Sequence, residues 1–488
     1  MNMNRDNVER LGSGFVGAIL IFFVGWHWHV GIAVWVSAIL LVRSFRMTEK
    51  WYGTLPVLGA TILFRYLSIT GGWDMPFHME FVFSLLVLLP LWAALYADRW
   101  YARSGRRLGA LLMFPLVYTA GDFLLGFSPL GTVFSPAVGQ FSYEALAQTV
   151  SLTGLWGLTF LIGLTATTAN AVWENGFDLR KTGRPVAVLA AVFALLLAYG
   201  YGKTLLTRPS DGTVRVAGAT ETHLRDYWSI TDNGTPRESK AEYAPELMAM
   251  QDRLFAQSQR AAEYGAQIIF WSEGNAVMYE DDLNAFLERS RTFAREHGVY
   301  FAPTPLVLRY DRMKNDNLLY LFGPDGEILF RYEKTNSWYP TDSDGIIPSA
   351  ETPWGTLSAV ICFDLDFPQF LRQAYQQNVD ILLVPGYDTE HISPFHTQIG
   401  RFRGVEYGFS VFRQANKSTS IATDYNGNVL TYQDYFDTND RLMIADVPVK
   451  GIRTIYGAVG DWFIALVWAT LAAVVVLTVR DLARRRKG

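Results

Sequence analysis

TLSAVICFD, at residues 356–364, is an apolar run that ends on a thiol and a carboxyl. Its length and its mixture of apolar and β-branched residues read as a buried strand. Upstream, LLYLFGPDGEILFRYEK (318–334) reads as a hairpin turning at Gly323-Pro324-Asp325-Gly326. VYFAPTPLVL (299–308), AQIIFWSE (266–273) and TVRVAGA (213–219) read as further strands. Helical patterns at 238–264 and 281–297 separate them. Downstream come a helix at 368–379, the strand DILLVPG (380–386), a helix at 396–408 and a hairpin at Tyr425-Asn426-Gly427-Asn428. Strands interleaved with helices predict a layered α/β domain over residues 208–450.

On either side the composition changes. The 488 residues are 50% hydrophobic and 18% charged, where a soluble domain carries about 25% charge. Apolar stretches suited to crossing a membrane lie at 11–28, 30–45, 51–69, 78–97, 108–127, 150–173, 185–206 and 457–479. With the N-terminus in the cytoplasm, the inside links hold Arg43, Arg46 and Lys50; Arg99, Arg103, Arg106 and Arg107; and Arg180, Lys181 and Arg184. The tail adds Arg480, Arg484, Arg485, Arg486 and Lys487, while the outside links 29–31, 70–77 and 128–149 hold no Lys or Arg. This asymmetry predicts cytoplasmic termini and an α/β domain on the other side. Three segments follow: a multi-span helical bundle at 1–207, the α/β domain at 208–450, and a last span with a basic tail at 451–488. The link 128–149, with Phe134, Phe141 and Tyr143, reads as an interfacial loop held by its aromatics; the alternative is a lip that guides a lipid.

A net charge of −4 without a basic stripe gives no reason to expect nucleic acid. One cysteine allows no internal disulfide and no Cys-paired metal site. The spacing of His391 and His396 matches no zinc pattern, so both read as ordinary polar residues. No cofactor or metal is expected.

Three strand ends carry reactive groups: Glu273, Lys334 and Cys362. A thiol nucleophile needs a base, and a cation to stabilise developing negative charge. Taken singly, each has a plain explanation: an inert buried thiol, a strand-end carboxylate, a surface ammonium. Together, FWSEGNA (270–276), RYEK (331–334) and VICFDLDFP (360–368) resemble the three signatures of the nitrilase superfamily, whose Glu–Lys–Cys triad runs in this order. The likeness covers residues 213–450, including RFRGVEYGFSVFRQANKSTSIATDYNGNVL (401–430). LTGLWGLTFLIGL (152–164) and TIYGAVGDWF (454–463) resemble segments of the bacterial apolipoprotein N-acyltransferase family.

The resemblance implies a nitrilase-like αββα sandwich outside the bacterial inner membrane. It implies transfer of a fatty acyl chain from a phospholipid, through a Cys362 thioester, to the N-terminal amine of a diacylglyceryl-cysteine lipoprotein. Glu273 would be the base and Lys334 the oxyanion partner, with the Phe363 N–H as second donor. In a strand, Asp364 would share a face with Cys362, giving it a supporting or a structural role. Glu406 matches a family position, although pairing with Arg403 explains it equally. The family's carboxylate-bearing loop after the Lys is replaced by TNSWYPTDSDG (335–345), where Asp342 or Asp344 could stand in, and PGYDTEHISPF (385–395) replaces another family segment. A membrane-tethered amidase or nitrile hydrolase, with water as acceptor, is the alternative. A non-catalytic lipid-binding protein is the third reading.

Overall fold

A computed structural model describes residues 5–72, 76–104, 107–207, 212–222, 236–310, 315–338 and 340–487. The chain divides into two compact units, Met1–Thr207 with Ala458–Gly488, and Arg208–Gly457.

The first unit is helical. Among the described residues, Phe77–Arg103, Gly109–Gly126, Leu179–Leu206 and Trp462–Arg480 are long and apolar enough to cross a membrane. A fifth span exists if Glu144–Thr153 and Trp156–Glu174, which bend by 117°, count as one. The eight expected spans are therefore too many by this measure. The stretch 150–173 is interrupted at Gly154, whose φ of +65° suits glycine. The helices Arg5–Ile21, Ala33–Met47 and Leu55–Ile69 have 17, 15 and 15 residues. At about 1.5 Å per residue they fall short of a hydrocarbon core of about 30 Å. A turn containing Gly25 and Trp26, both at positive φ, separates the first two. The 128–149 loop packs inside this unit through polar ties as well as aromatics. His29 Nε2 lies 2.6 Å from the Gly139 carbonyl, and Trp35 Nε1 donates to Gln140 Oε1 at 2.7 Å.

The second unit has two sheets. Its strands are β1 (Thr213–Ala219), β2 (Ile268–Trp271), β3 (Ala276–Tyr279), β4 (Tyr300–Ala302), β5 (Pro305–Leu308), β6 (Asn315–Phe322), β7 (Ile328–Glu333), β8 (Ser349–Thr352), β9 (Gly355–Ala359), β10 (Ile381–Tyr387), β11 (Ser410–Asn416), β12 (Thr419–Thr423), β13 (Val429–Asp434) and β14 (Leu442–Pro448). One sheet runs β14-β1-β2-β4-β6-β5-β3, with β7 on β6; the other runs β13-β12-β11-β10-β9-β8. β1, β2 and β4 are parallel neighbours, as are β9, β10 and β11, with helices in the crossovers.

Period-two alternation sorts the two faces. Phe270 points at the other sheet and meets Phe412 edge-on at 5.1 Å. Trp271 points outward, against Phe255 at 5.2 Å, and donates from Nε1 to Ser258 Oγ at 2.8 Å. Helices Pro236–Glu263 and Leu283–His297 thus cover the first sheet around Leu254, Phe255, Phe286 and Phe293. Pro368–Gln376 and Phe395–Tyr407 lie on the second, where a Cβ added to Gly400 would stand 3.4 Å from Val411 and Leu365 side-chain carbons. Between the sheets Gly218 is required, because a Cβ there would stand 2.4 Å from Gln414 Oε1. Burial of both faces explains why these strands read as apolar runs.

Candidate active site

Glu273 does not end a strand. It lies in the break between β2 and β3, where Gly274 has φ +56°. The break is held by Ser272 N–H on the Ala219 carbonyl (3.0 Å) and by Asn275 Nδ2 on the Glu221 carbonyl (3.0 Å). Glu273 is buried and its carboxylate accepts three bonds: Lys334 Nζ at 2.6 Å and Asn317 Nδ2 at 2.8 Å on Oε1, and Tyr387 N–H at 3.0 Å on Oε2. Lys334 follows β7, its backbone N–H still on the Asn317 carbonyl at 3.0 Å. Burial works to discharge its ammonium, and the charges of Glu273 and of a Cys362 thiolate more than reverse that.

Cys362 also departs from expectation. β9 stops at Ala359, and Cys362 opens a short 3₁₀ turn, Cys362–Asp366, at φ +49°. A non-glycine residue in this left-handed region is strained, and such residues cluster at functional sites. Sγ lies 3.6 Å from the Tyr387 carbonyl. Burial, then the Glu273 charge, push the thiol well up, against the pull of Lys334. The resting group is a thiol, and forming the thiolate requires a base.

The turn corrects the strand argument for Asp364, because Cys362 and Asp364 do not alternate across a pleat. Asp364 is fully buried and accepts from Tyr332 Oη (2.6 Å), Asn336 N–H (2.7 Å), Asn336 Nδ2 (2.9 Å) and Ile361 N–H (3.0 Å). It joins the Cys362–Asp366 turn to the segment that carries Lys334. Burial pushes its carboxyl up, against those donors. Phe363 lies within the turn, and its ring stacks on Trp338 at 5.7 Å. Asp344 is exposed and closes its own loop by accepting the Ile346 N–H at 2.9 Å. Asp342 is exposed, and its N–H donates to Glu333 Oε1 at 3.0 Å. Its carboxylate lies within 4.8 Å of those of Asp316 and Glu333. Glu406 is wholly buried in an ion pair with Arg403, whose Nε donates to the Leu365 carbonyl in the Cys362–Asp366 turn at 2.7 Å.

Sequence reasoning missed the groups behind the sulfur. His396 is no ordinary polar residue. It is buried, with Nδ1 2.8 Å from Asp388 Oδ1 and Nε2 2.8 Å from Asp366 Oδ2. Arg413, fully buried on β11, donates from Nη2 to both Asp388 oxygens at 3.0 Å. Burial alone would raise the Asp388 carboxyl, but Arg413 and His396 hold it well below the usual range. The donor atoms of Cys362, Asp388 and His396 lie within 4.8 Å of one another. A metal does not suit them, since both His396 nitrogens are taken by carboxylates and a guanidinium already covers Asp388. The available signal was Arg413 directly after Val411-Phe412 in SVFRQAN, a strand buried throughout, because a buried charge must be paired.

A carbon-nitrogen hydrolase family model matches residues 235–456. An apolipoprotein N-acyltransferase of Geobacter metallireducens is 25% identical over 450 residues, spanning 83% of this chain and 81% of that one. Apolipoprotein N-acyltransferase 2 of Treponema denticola is 22% identical over 92% of this chain and 89% of its own length. An amidase structure from Nesterenkonia sp. AN1 is similar at 17% identity and a TM-score of 0.40, covering 50% of this chain and 94% of that one. With relatives of one name along most of its length and the hydrolase domain in its second half, the chain belongs to the apolipoprotein N-acyltransferase family.

Proposed function

We propose that this membrane acyltransferase takes a fatty acyl chain from a phospholipid onto Cys362 and passes it to the N-terminal amine of a diacylglyceryl-cysteine lipoprotein. The observation that carries the reading is a base fixed beside a buried, strained thiol. Glu273 is held by Lys334, Asn317 and the Tyr387 N–H, and both its charge and that of Lys334 act on the sulfur.

Glu273 takes the thiol proton as sulfur attacks the ester carbonyl. The tetrahedral oxyanion faces the Lys334 ammonium, with the Phe363 N–H as second donor. Collapse breaks the C–O bond, and the leaving lysophospholipid oxygen receives the proton from Glu273. The amine then attacks the thioester, Glu273 takes its proton, the C–S bond breaks, and the thiol is restored. Splitting one exchange into two lets a single site serve two bulky lipids in turn. Asp364 and Glu406 are supports of the nucleophile turn in this scheme, and Asp342 and Asp344 take no step. The positive-inside pattern supports a domain outside the cytoplasm, and a reporter fused after Gly488 should then read as cytoplasmic.

The test is intact-mass spectrometry of the detergent-purified chain after incubation with phospholipid. We expect a gain of one acyl chain, removed by neutral hydroxylamine and absent in Cys362→Ala. An adduct that survives in Cys362→Ala would overturn the mechanism. Release of free fatty acid in place of transfer to an amine would favour the hydrolase alternative.

A further inference from the structure

Four buried side chains behind Cys362 take no part in those steps. Asp366, His396, Asp388 and Arg413 form a chain of alternating charge, with links of 2.8, 2.8 and 3.0 Å. They come from four segments: the nucleophile turn, the helix Phe395–Tyr407, the residue after β10, and β11. The chain ends under the sulfur, where Asp388 Oδ1 is 3.9 Å and Arg413 Nη2 is 4.0 Å from Sγ. Tyr387, next to Asp388, holds Glu273 by its N–H and faces Sγ with its carbonyl. A single imidazole therefore ties the turn that carries the nucleophile to the strand end that holds the base.

We propose that Asp366, His396, Asp388 and Arg413 are positioning residues that fix the Cys362 turn against the end of β10 and cancel the charge of Asp388 beneath the sulfur. The inference rests on Cys362 being the nucleophile. An uncompensated carboxylate at 3.9 Å would oppose thiolate formation. Two cations share this one. The guanidinium keeps its charge at any working pH. Burial works against the imidazolium, but Asp388 and Asp366 raise its pKa to about 9. The thiol faces Glu273, Lys334, Asp388 and Arg413; His396 faces Asp388, Asp366 and, at 3.3 Å, Arg413. A cluster whose charges were screened from the sulfur, serving the fold alone, would leave its protonation untouched.

The experiment is the pH profile of iodoacetamide alkylation of the full chain in detergent, which is unambiguous because Cys362 is the one cysteine. Asp388→Asn removes the anion and should move the profile down by about one pH unit, raising the rate at pH 8 roughly tenfold. His396→Gln uncovers Asp388 and should move it up by a similar amount. Unmoved profiles in folded variants, or shifts in one direction for both, would overturn the proposal. A second measurement needs no variant: 15N-histidine labelling of the native chain should show both His396 nitrogens protonated at pH 7.5, and a neutral ring would refute the scheme. Acyl-adduct formation by the native chain and by Cys362→Ala, followed in parallel, tests the acyl-transfer reading separately. Its failure would leave the alkylation profiles to decide this one.

Discussion

Replacing Glu406 by leucine should destabilise the α/β unit by about 3–5 kcal/mol, the usual cost of stranding one charge of a buried pair. Both Glu406 and Arg403 are wholly buried, and the guanidinium has a second duty, donating from Nε to the Leu365 carbonyl at 2.7 Å. Without its carboxylate the cation stays where water does not reach, unlike an exposed pair, whose loss costs about 1 kcal/mol or less. For a unit of about 250 residues, each kcal/mol corresponds to roughly 2–4 °C, so the transition should fall by roughly 10 °C. The double change Arg403→Met/Glu406→Leu leaves no charge behind. It should recover most of the loss, less about 1 kcal/mol for the Leu365 carbonyl. Near-UV circular dichroism of the full chain in detergent, melted under identical conditions, reads the three proteins. A Glu406→Leu variant within about 1 kcal/mol of the native chain, or a double variant no more stable than the single, would refute the reasoning.

Other expectations follow from the same geometry. His396 has its pKa raised from 6.5 to about 9, so its contribution is complete below about pH 6.5 and is lost as pH rises through about 9. It amounts to about 3 kcal/mol, counted once for the His396–Asp388 pair. Urea unfolding from pH 6 to 10 should show the fall, and His396→Gln should flatten it. Gly386→Ala puts a Cβ 2.8 Å from Arg413 Nη2 and should cost about 1–3 kcal/mol by overpacking. It should also slow alkylation of Cys362, and a native alkylation rate would show that the guanidinium moves freely. Tyr332→Phe removes the donor to Asp364 Oδ2 at 2.6 Å. The loss of this bond to a charged group should cost about 1.5–3 kcal/mol and lower kcat more than it raises KM, as steady-state kinetics would reveal.

The strands were legible because burial on both faces leaves apolar runs between turn signals, and Glu273, Lys334 and Cys362 because each closes such a run. What the pattern hides is where a run breaks. AQIIFWSE reads as a strand through Glu273, yet β2 stops at Trp271 and β3 begins only at Ala276; VYFAPTPLVL reads as one strand, yet is two, parted at residues 303–304. The first of these breaks is what brings Glu273 to Lys334. Cys362 reads as strand for the same reason, and its positive φ leaves no mark in composition. The membrane stretches 78–97, 108–127, 185–206 and 457–479 lie in helices long enough to span, whereas 150–173 is broken, since a hydropathy window measures apolarity and cannot see the bend at Gly154.

The groups behind the sulfur escaped for a different reason. Asp366 and His396 are 30 residues apart, and Arg413 is 25 from Asp388, so no local spacing joins them and His396 looks like any loop histidine. Arg413 is the exception. A guanidinium inside a seven-residue strand buried throughout cannot stand alone in a low-dielectric core, so its position requires a buried anion nearby. The same reasoning applies to Arg403, one turn from Glu406. Charges on buried elements therefore report partners that periodicity cannot. In this chain both lead to one place, the underside of the turn that carries Cys362.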